Sequence, residues 1–166
     1  MSQSNEPTVL AQEIGRRLLA RGWFLATAES CTGGLVSHYL TNVPGSSAWF
    51  VGGVVSYTNA LKMQLLGVSP ETLVQYGAVS EQTVMEMAVG VCQKLGAQVG
   101  IAVTGIAGPG GGSTEKPVGL VWVGLALPHQ VVAQAFHWYG NRIANKESSA
   151  QTALAWLLEL LTRTSE

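Results

Sequence analysis

The chain has 166 residues, a formal net charge of −1 and only 11% charged residues. That length fits one domain with a real core, and that charge excludes a basic nucleic-acid footprint or a patch for anionic membranes. All ten acidic residues are glutamates, which excludes an aspartate triad, a kinase-type metal site and an EF-hand loop.

A hydrophobic content of 47% and a mean hydropathy of +0.25 are high for a small chain. They predict that some surface is buried between subunits, a homo-oligomer with a dimer favoured. The longest apolar run, Val118 to Leu127, is interrupted by Gly119 and Gly124 and is too short to span a bilayer. Met1 to Pro7 is polar, without the charged-then-apolar pattern of an export signal. The expectation is a frayed start over 1–7, one domain over 8–166 and a cytoplasmic location. Cys31 and Cys92 are expected as free thiols.

In chain order, Thr8 to Arg21 places Leu10, Ile14 and Leu18 on one face of an amphipathic helix. Trp23 to Ala28 is an apolar, β-compatible run, and a helix follows from about Gly34 to Asn42, broken by Pro44-Gly45-Ser46-Ser47. Trp49 to Tyr57 predicts a buried strand. Asn59 to Leu66 predicts a short helix stopped by Gly67. Ser69-Pro70-Glu71 reads as a cap, a first-turn proline and a first-turn acid. Ser80 caps a longer helix with Val84, Met87, Ala88, Val91, Cys92 and Leu95 on its core face, ended by Gly96. Gln98 to Thr104 predicts a strand, and Gly105 to Pro117 a glycine-rich loop. Val118 to Leu127 and Val131 to Trp138 make an antiparallel hairpin. Ser148 to Leu161 closes the chain as a helix. This order predicts an α/β fold: a three-layer α/β/α domain with a mixed, mostly parallel sheet and an antiparallel hairpin.

Three stretches carry potential chemistry. Thr27-Ala28-Glu29-Ser30-Cys31-Thr32-Gly33-Gly34 lies at a strand-to-helix turn with two potential nucleophiles, a carboxylate and two glycines. Such a turn exposes a side chain at the strand end near unpaired helix N–H groups, good geometry for a nucleophile with an oxyanion hole. It reads equally as a turn in which Ser30 or Thr32 caps the helix. Thr104 to Ser113 is a loop whose glycines let backbone N–H groups close on an anion such as phosphate. It is neither a P-loop nor a dinucleotide fingerprint, and its place after a buried strand favours a ligand loop over plain surface. Ser56 to Lys62 offers Tyr57 and Lys62 at a strand terminus, where a desolvated lysine loses proton affinity and serves as a base. On spacing alone, a solvated lysine and a packed tyrosine are the simpler reading. The same holds for Arg142, as a solvated helix-start residue or an anion ligand. His38, His129 and His137 form no metal spacing with another ligand.

Six segments in register resemble one family: Thr-Ala-Glu-Ser-Cys-Thr-Gly-Gly at 27–34, Gly-Ser-Ser-Ala-Trp-Phe at 45–50, Ser-Tyr-Thr-Asn-Ala-Leu-Lys at 56–62, Gly-Ala-Val-Ser-Glu at 77–81, Thr-Gly-Ile-Ala-Gly-Pro at 104–109 and Glu-Lys-Pro-Val-Gly at 115–119. Together they resemble the CinA C-terminal family, whose stand-alone members are bacterial nicotinamide-nucleotide amidohydrolases. The resemblance implies hydrolysis of the carboxamide of nicotinamide mononucleotide to nicotinate mononucleotide and ammonia, with no metal and no cofactor. It implies a Ser/Lys mechanism with Ser30 as nucleophile, Lys62 as base and Tyr57 assisting; Ser46 and Ser47 stay open as alternative nucleophiles. Substrate contacts are expected from Glu29, Cys31, Thr32, Gly33, Gly34, Ser47, Thr104, Gly105, Gly108 and Arg142, with the 5′-phosphate on the glycine-rich loop, where Thr104 and Ser113 add hydroxyl donors. The other class open to such a chain is a non-catalytic nucleotide-binding or regulatory module.

Overall fold

Local chemistry sets most helix ends. Thr58, Ser69 and Ser80 each accept an N–H from three residues further on, and Gly67 and Gly96 adopt the left-handed conformation that terminates a helix. In the computed structural model, which describes residues 6–163, the helices are α1 (Pro7–Arg21), α2 (Leu35–Thr41), α3 (Asn59–Leu66), α4 (Pro70–Tyr76), α5 (Glu81–Leu95) and α6 (Arg142–Arg163). The strands are β1 (Leu25–Glu29), β2 (Phe50–Val55), β3 (Val99–Gly105), β4 (Leu120–Leu127) and β5 (Gln130–His137). Of the start expected to fray, residues 1–5 lie outside the described residues. Glu6 and Pro7 cap and open α1, with a Glu6 carboxylate oxygen accepting from Val9 N.

The sheet is mixed, in the order β2-β1-β3-β4-β5. β1 runs parallel to both β2 and β3, whereas β3–β4 and β4–β5 pair antiparallel. α1, α2 and α6 cover one face, and α3, α4 and α5 the other. The three layers follow from side-chain alternation along the strands. Leu25, Val99, Ile101, Val103, Val121, Val123 and Leu125 face the first layer, where they pack with Ile14, Leu18, Leu154 and Leu157. Each such fully buried aliphatic contributes roughly 1.5–3 kcal/mol. The opposite face carries Ala26, Ala28, Ala102 and Ala126, interleaved with glycines. A Cβ on Gly124 would stand 2.7 Å from the Val84 carbonyl. The small residues therefore let α5 lie close on the sheet. Gly90 repeats this one layer out, because its Cβ would stand 1.8 Å from the Leu66 carbonyl at the end of α3. α3 is thus set against α5 by backbone contact, which matters for the lysine that it carries.

One element is longer than expected. α6 begins at Arg142, not Ser148, with Asn141 Oδ1 accepting from Ala144 N at its start. Its first turns bury polar groups, Asn145 and Ser149, so no apolar periodicity announces them. No helix among the described residues is long and apolar enough to cross a membrane.

Candidate active site

Parallel strands end together, and the crevice outside their carboxyl ends is where open α/β sheets bind ligands. Here the ladder continues one residue past β1 and β2: Ser30 N donates to the Val103 carbonyl, and Ser56 N to the Glu29 carbonyl. Ser30 and Ser56 are thereby held side by side. The chain then turns through 31–34, closed by Gly33 N donating to the Ser30 carbonyl.

Glu29 decides what caps α2. Its carboxylate accepts from Val36 N at 2.8 Å, Ser37 N at 3.0 Å and Ser37 Oγ at 2.8 Å. The expected cap, Ser30 or Thr32, is not the one used. Glu29, expected as a substrate contact, has its carboxylate consumed by α2 and buried outside the cavity lining. Of the four backbone N–H groups of the turn at 31–34, that of Gly33 is taken by the Ser30 carbonyl. Those of Cys31, Thr32 and Gly34 have no carbonyl or carboxylate acceptor among the described residues.

Lys62 is the largest fully buried side chain, 1% exposed. Its Nζ donates to Ser30 Oγ at 3.1 Å and to the Ser56 carbonyl at 2.9 Å. Burial, chiefly, pulls its pKa below the ordinary lysine value. The reading of Lys62 as a solvated helix residue is therefore wrong. Cys31 is buried too, and desolvation foremost pushes its thiol up to about 12, so a thiolate is disfavoured. Two buried hydroxyls near the pair, Thr32 Oγ1 and Ser56 Oγ, have no hydrogen-bond partner among the described residues.

Ser30 lines a cavity of about 270 Å³. Cys31, Tyr57, Thr104, Gly105, Gly108 and Arg142 line it as well, together with Ala78, Val79, Ile106, Gly110 and Gly111. Tyr57 is 56% exposed, and its hydroxyl accepts from Arg142 Nη2 at 2.9 Å, not from Lys62. Arg142 Nη1 donates to the Gly108 carbonyl at 2.7 Å. One guanidinium therefore ties α6, the glycine-rich loop and the β2–α3 connection together at the cavity. The loop's Gly108, Gly110 and Gly111 keep backbone N–H groups without backbone acceptors among the described residues. Thr104 differs from expectation, because its hydroxyl donates to the Ala78 carbonyl and braces the opposite wall. Ser113 does not line the cavity; its Oγ accepts from Lys116 N.

Four further expected contacts lie outside the cavity lining. Thr32, Gly33 and Gly34 form the turn behind the cavity lining. Ser47 is exposed in a 3-10 turn that precedes β2. The length of β2, at roughly 3.3 Å per residue, separates it from the site, so Ser47 and Ser46 lie at the other end of the sheet from Lys62. Unanticipated contributors are Ala78 and Val79, Ser56 as the second Lys62 acceptor, and Asn145. The last is buried, donates to the Ala107 carbonyl and accepts from Gly140 N. Its only sequence signal was a polar residue three positions after Arg142.

The sequence pattern of the CinA C-terminal domain matches residues 7–161. The chain belongs to the CinA C-terminal domain family. A relative from Enterobacter agglomerans named nicotinamide-nucleotide amidohydrolase PncC is 61% identical over 150 residues, covering 87% of this chain and 92% of its own. A CinA-like protein from Chloroherpeton thalassium is 48% identical over 156 residues, 92% of this chain, but the match spans only 37% of that longer protein. The crystal structure of a competence-damaged protein (CinA) superfamily member from Klebsiella pneumoniae superposes with a TM-score of 0.91 at 37% identity, covering 95% of this chain and 99% of its own. That of competence/damage inducible protein CihA from Agrobacterium tumefaciens gives 0.88 at 44% identity over 93% and 94% of the two chains. The CinA fold is thus shared across nearly the whole described length.

Proposed function

We propose that this chain hydrolyses the carboxamide of nicotinamide mononucleotide, giving nicotinate mononucleotide and ammonia. The observation that carries the reading is the buried Lys62 Nζ against the Oγ of Ser30, a cavity-lining residue. The 61% identical relative, named for this activity over 92% of its length, supports the substrate.

Neutral Lys62 takes the Ser30 proton as Oγ bonds to the amide carbon. The carbonyl oxygen becomes an oxyanion, and the backbone N–H of Cys31, which lines the cavity and has no carbonyl acceptor among the described residues, is the donor nearest Ser30 that supports this step. Protonated Lys62 passes its proton to the amide nitrogen, the C–N bond breaks, and ammonia leaves. Water then attacks the acyl-Ser30 ester, giving its proton to Lys62, which passes it to Ser30 Oγ as the ester C–O bond breaks and the carboxylic acid departs. Tyr57 serves this scheme by holding Arg142, since its hydroxyl is bonded there. The N–H groups of the glycine-rich loop and the Arg142 guanidinium supply donors for the 5′-phosphate. The scheme uses no metal; among the described residues no three His, Cys, Asp or Glu side chains cluster as a ligand set. The reading includes a cytoplasmic homo-oligomer, a dimer by preference, supported by the exposure of Val74 and Tyr139.

The test is ammonia release from nicotinamide mononucleotide by the purified chain, with and without EDTA. Release that EDTA leaves intact supports the reading. No release identifies a binding or regulatory module, and loss restored by zinc or magnesium overturns the metal-free scheme.

A further inference from the structure

The charges around the cavity do not balance. Arg142 lines it yet donates to two neutral acceptors, the Gly108 carbonyl and the Tyr57 hydroxyl. One turn further along α6, Lys146 is half-buried, and its Nζ lies 3.6 Å from where a Cβ on Gly33 would stand. It is near enough to Cys31, a cavity-lining residue, to oppose the upward shift of that thiol. Neither cation has an acidic partner among the described residues, whose ion pairs join Glu13 to Arg16 and Arg17 and Glu159 to Arg163. Glu29 is closed by its three bonds to α2, and Glu147 is exposed and forms no ion pair among the described residues.

Residues four apart share one helix face, where like charges repel. Arg142 lines the cavity and Lys146 stands one turn along the same helix against the 31–34 turn; two uncompensated cations so placed attract an anionic group and hold it by charge-assisted hydrogen bonds. We propose that Lys146 joins Arg142 as a cationic clamp for the phosphate of the substrate, so that α6 sets the preference for a nucleotide over its nucleoside. The inference rests on the reading of Ser30 as the nucleophile toward a nicotinamide carboxamide. In such a ligand the ribose and ring separate phosphate from amide, so the clamp orients the reacting group without touching it. Binding energy from so remote a contact is expressed partly in turnover.

Lys146→Met keeps the aliphatic stem and removes the charge, whereas Lys146→Arg keeps the charge. The measurement is kcat/KM for ammonia release from nicotinamide mononucleotide and from nicotinamide riboside. In Lys146→Met the nucleotide-to-riboside ratio falls on the order of ten- to a hundredfold, as expected for a lost charged hydrogen bond, and Lys146→Arg restores most of it. Calorimetry with nicotinamide mononucleotide and with inorganic phosphate, on Ser30→Ala protein with and without Lys146→Met, reads binding apart from turnover. Weaker binding of both ligands to the double variant is expected. An unchanged ratio, or an equal fall for both amides, overturns the clamp. If the wild-type chain releases ammonia from neither amide, the Ser30 reading fails, while calorimetry still decides whether Lys146 holds phosphate.

Discussion

Lys62 Nζ and Ser30 Oγ stand 3.1 Å apart, although 32 positions separate them in the chain. Ser30 is placed by the ladder bond from its N–H to Val103, and Lys62 by α3, which rests on α5 at Gly90. The Ser30–Lys62 contact therefore reports on packing in two different layers of the domain.

Ser30→Ala is expected to lower turnover by at least about three orders of magnitude, as removal of a covalent nucleophile does. Cys31→Ser should retain far more activity, because a thiol pushed up to about 12 contributes little thiolate near neutrality. Steady-state ammonia release from both variants checks the ranking. The reverse order would make Cys31 the nucleophile.

Lys62→Met should abolish activity while holding or raising thermal stability at neutral pH. A buried lysine whose pKa is depressed binds fewer protons folded than unfolded, so its penalty is fullest below the folded pKa. The penalty shrinks as pH rises and vanishes above the unfolded value of 10.5. The Tm gap between variant and wild type should accordingly narrow with rising pH. By the same titration, wild-type kcat/KM should climb as pH rises through the folded pKa, because only neutral Lys62 accepts the serine proton. A rate that falls across that range would remove Lys62 from the role of base.

Glu29→Ala should cost about 2–3 kcal/mol by urea denaturation. It leaves three donors of α2 without their acceptor, in a buried place where unmade hydrogen bonds are expensive. A loss below about 0.5 kcal/mol, the level of an ordinary surface change, would mean that α2 is held by its apolar face alone.

Gly90→Ala carries the packing argument into catalysis. The new methyl meets the Leu66 carbonyl, a backbone atom that cannot swing aside. α3 must then move and take Lys62 with it. A destabilisation of about 1–3 kcal/mol is expected for such overpacking, together with a fall in kcat larger than any rise in KM. Unaltered turnover in the folded variant would show that Lys62 tolerates displacement of its helix.

Sequence alone determined what depends on near neighbours. The caps at Ser69 and Ser80, the stops at Gly67 and Gly96, the core face of α5 and the hairpin were legible, because a cap or a helix face involves residues only three or four positions apart. Six spaced segments were also enough to reveal the CinA resemblance, since motif identity survives without coordinates. Tertiary structure decided the rest. Lys62 read as solvated because nothing within its own helix buries it; the sheet end and α5 do. Glu29 read as a site carboxylate, yet the turn at 31–34 folds α2 back onto it, an arrangement seven positions long that no capping pattern encodes. Ser47 and Ser30 looked like rival nucleophiles in sequence, but the parallel pairing of β1 with β2 sends them to opposite ends of the sheet. The start of α6 stayed hidden for a related reason. Its buried face meets loop carbonyls and amides at the site rather than apolar core, so Asn145 and Ser149 stand where a helix usually shows leucine.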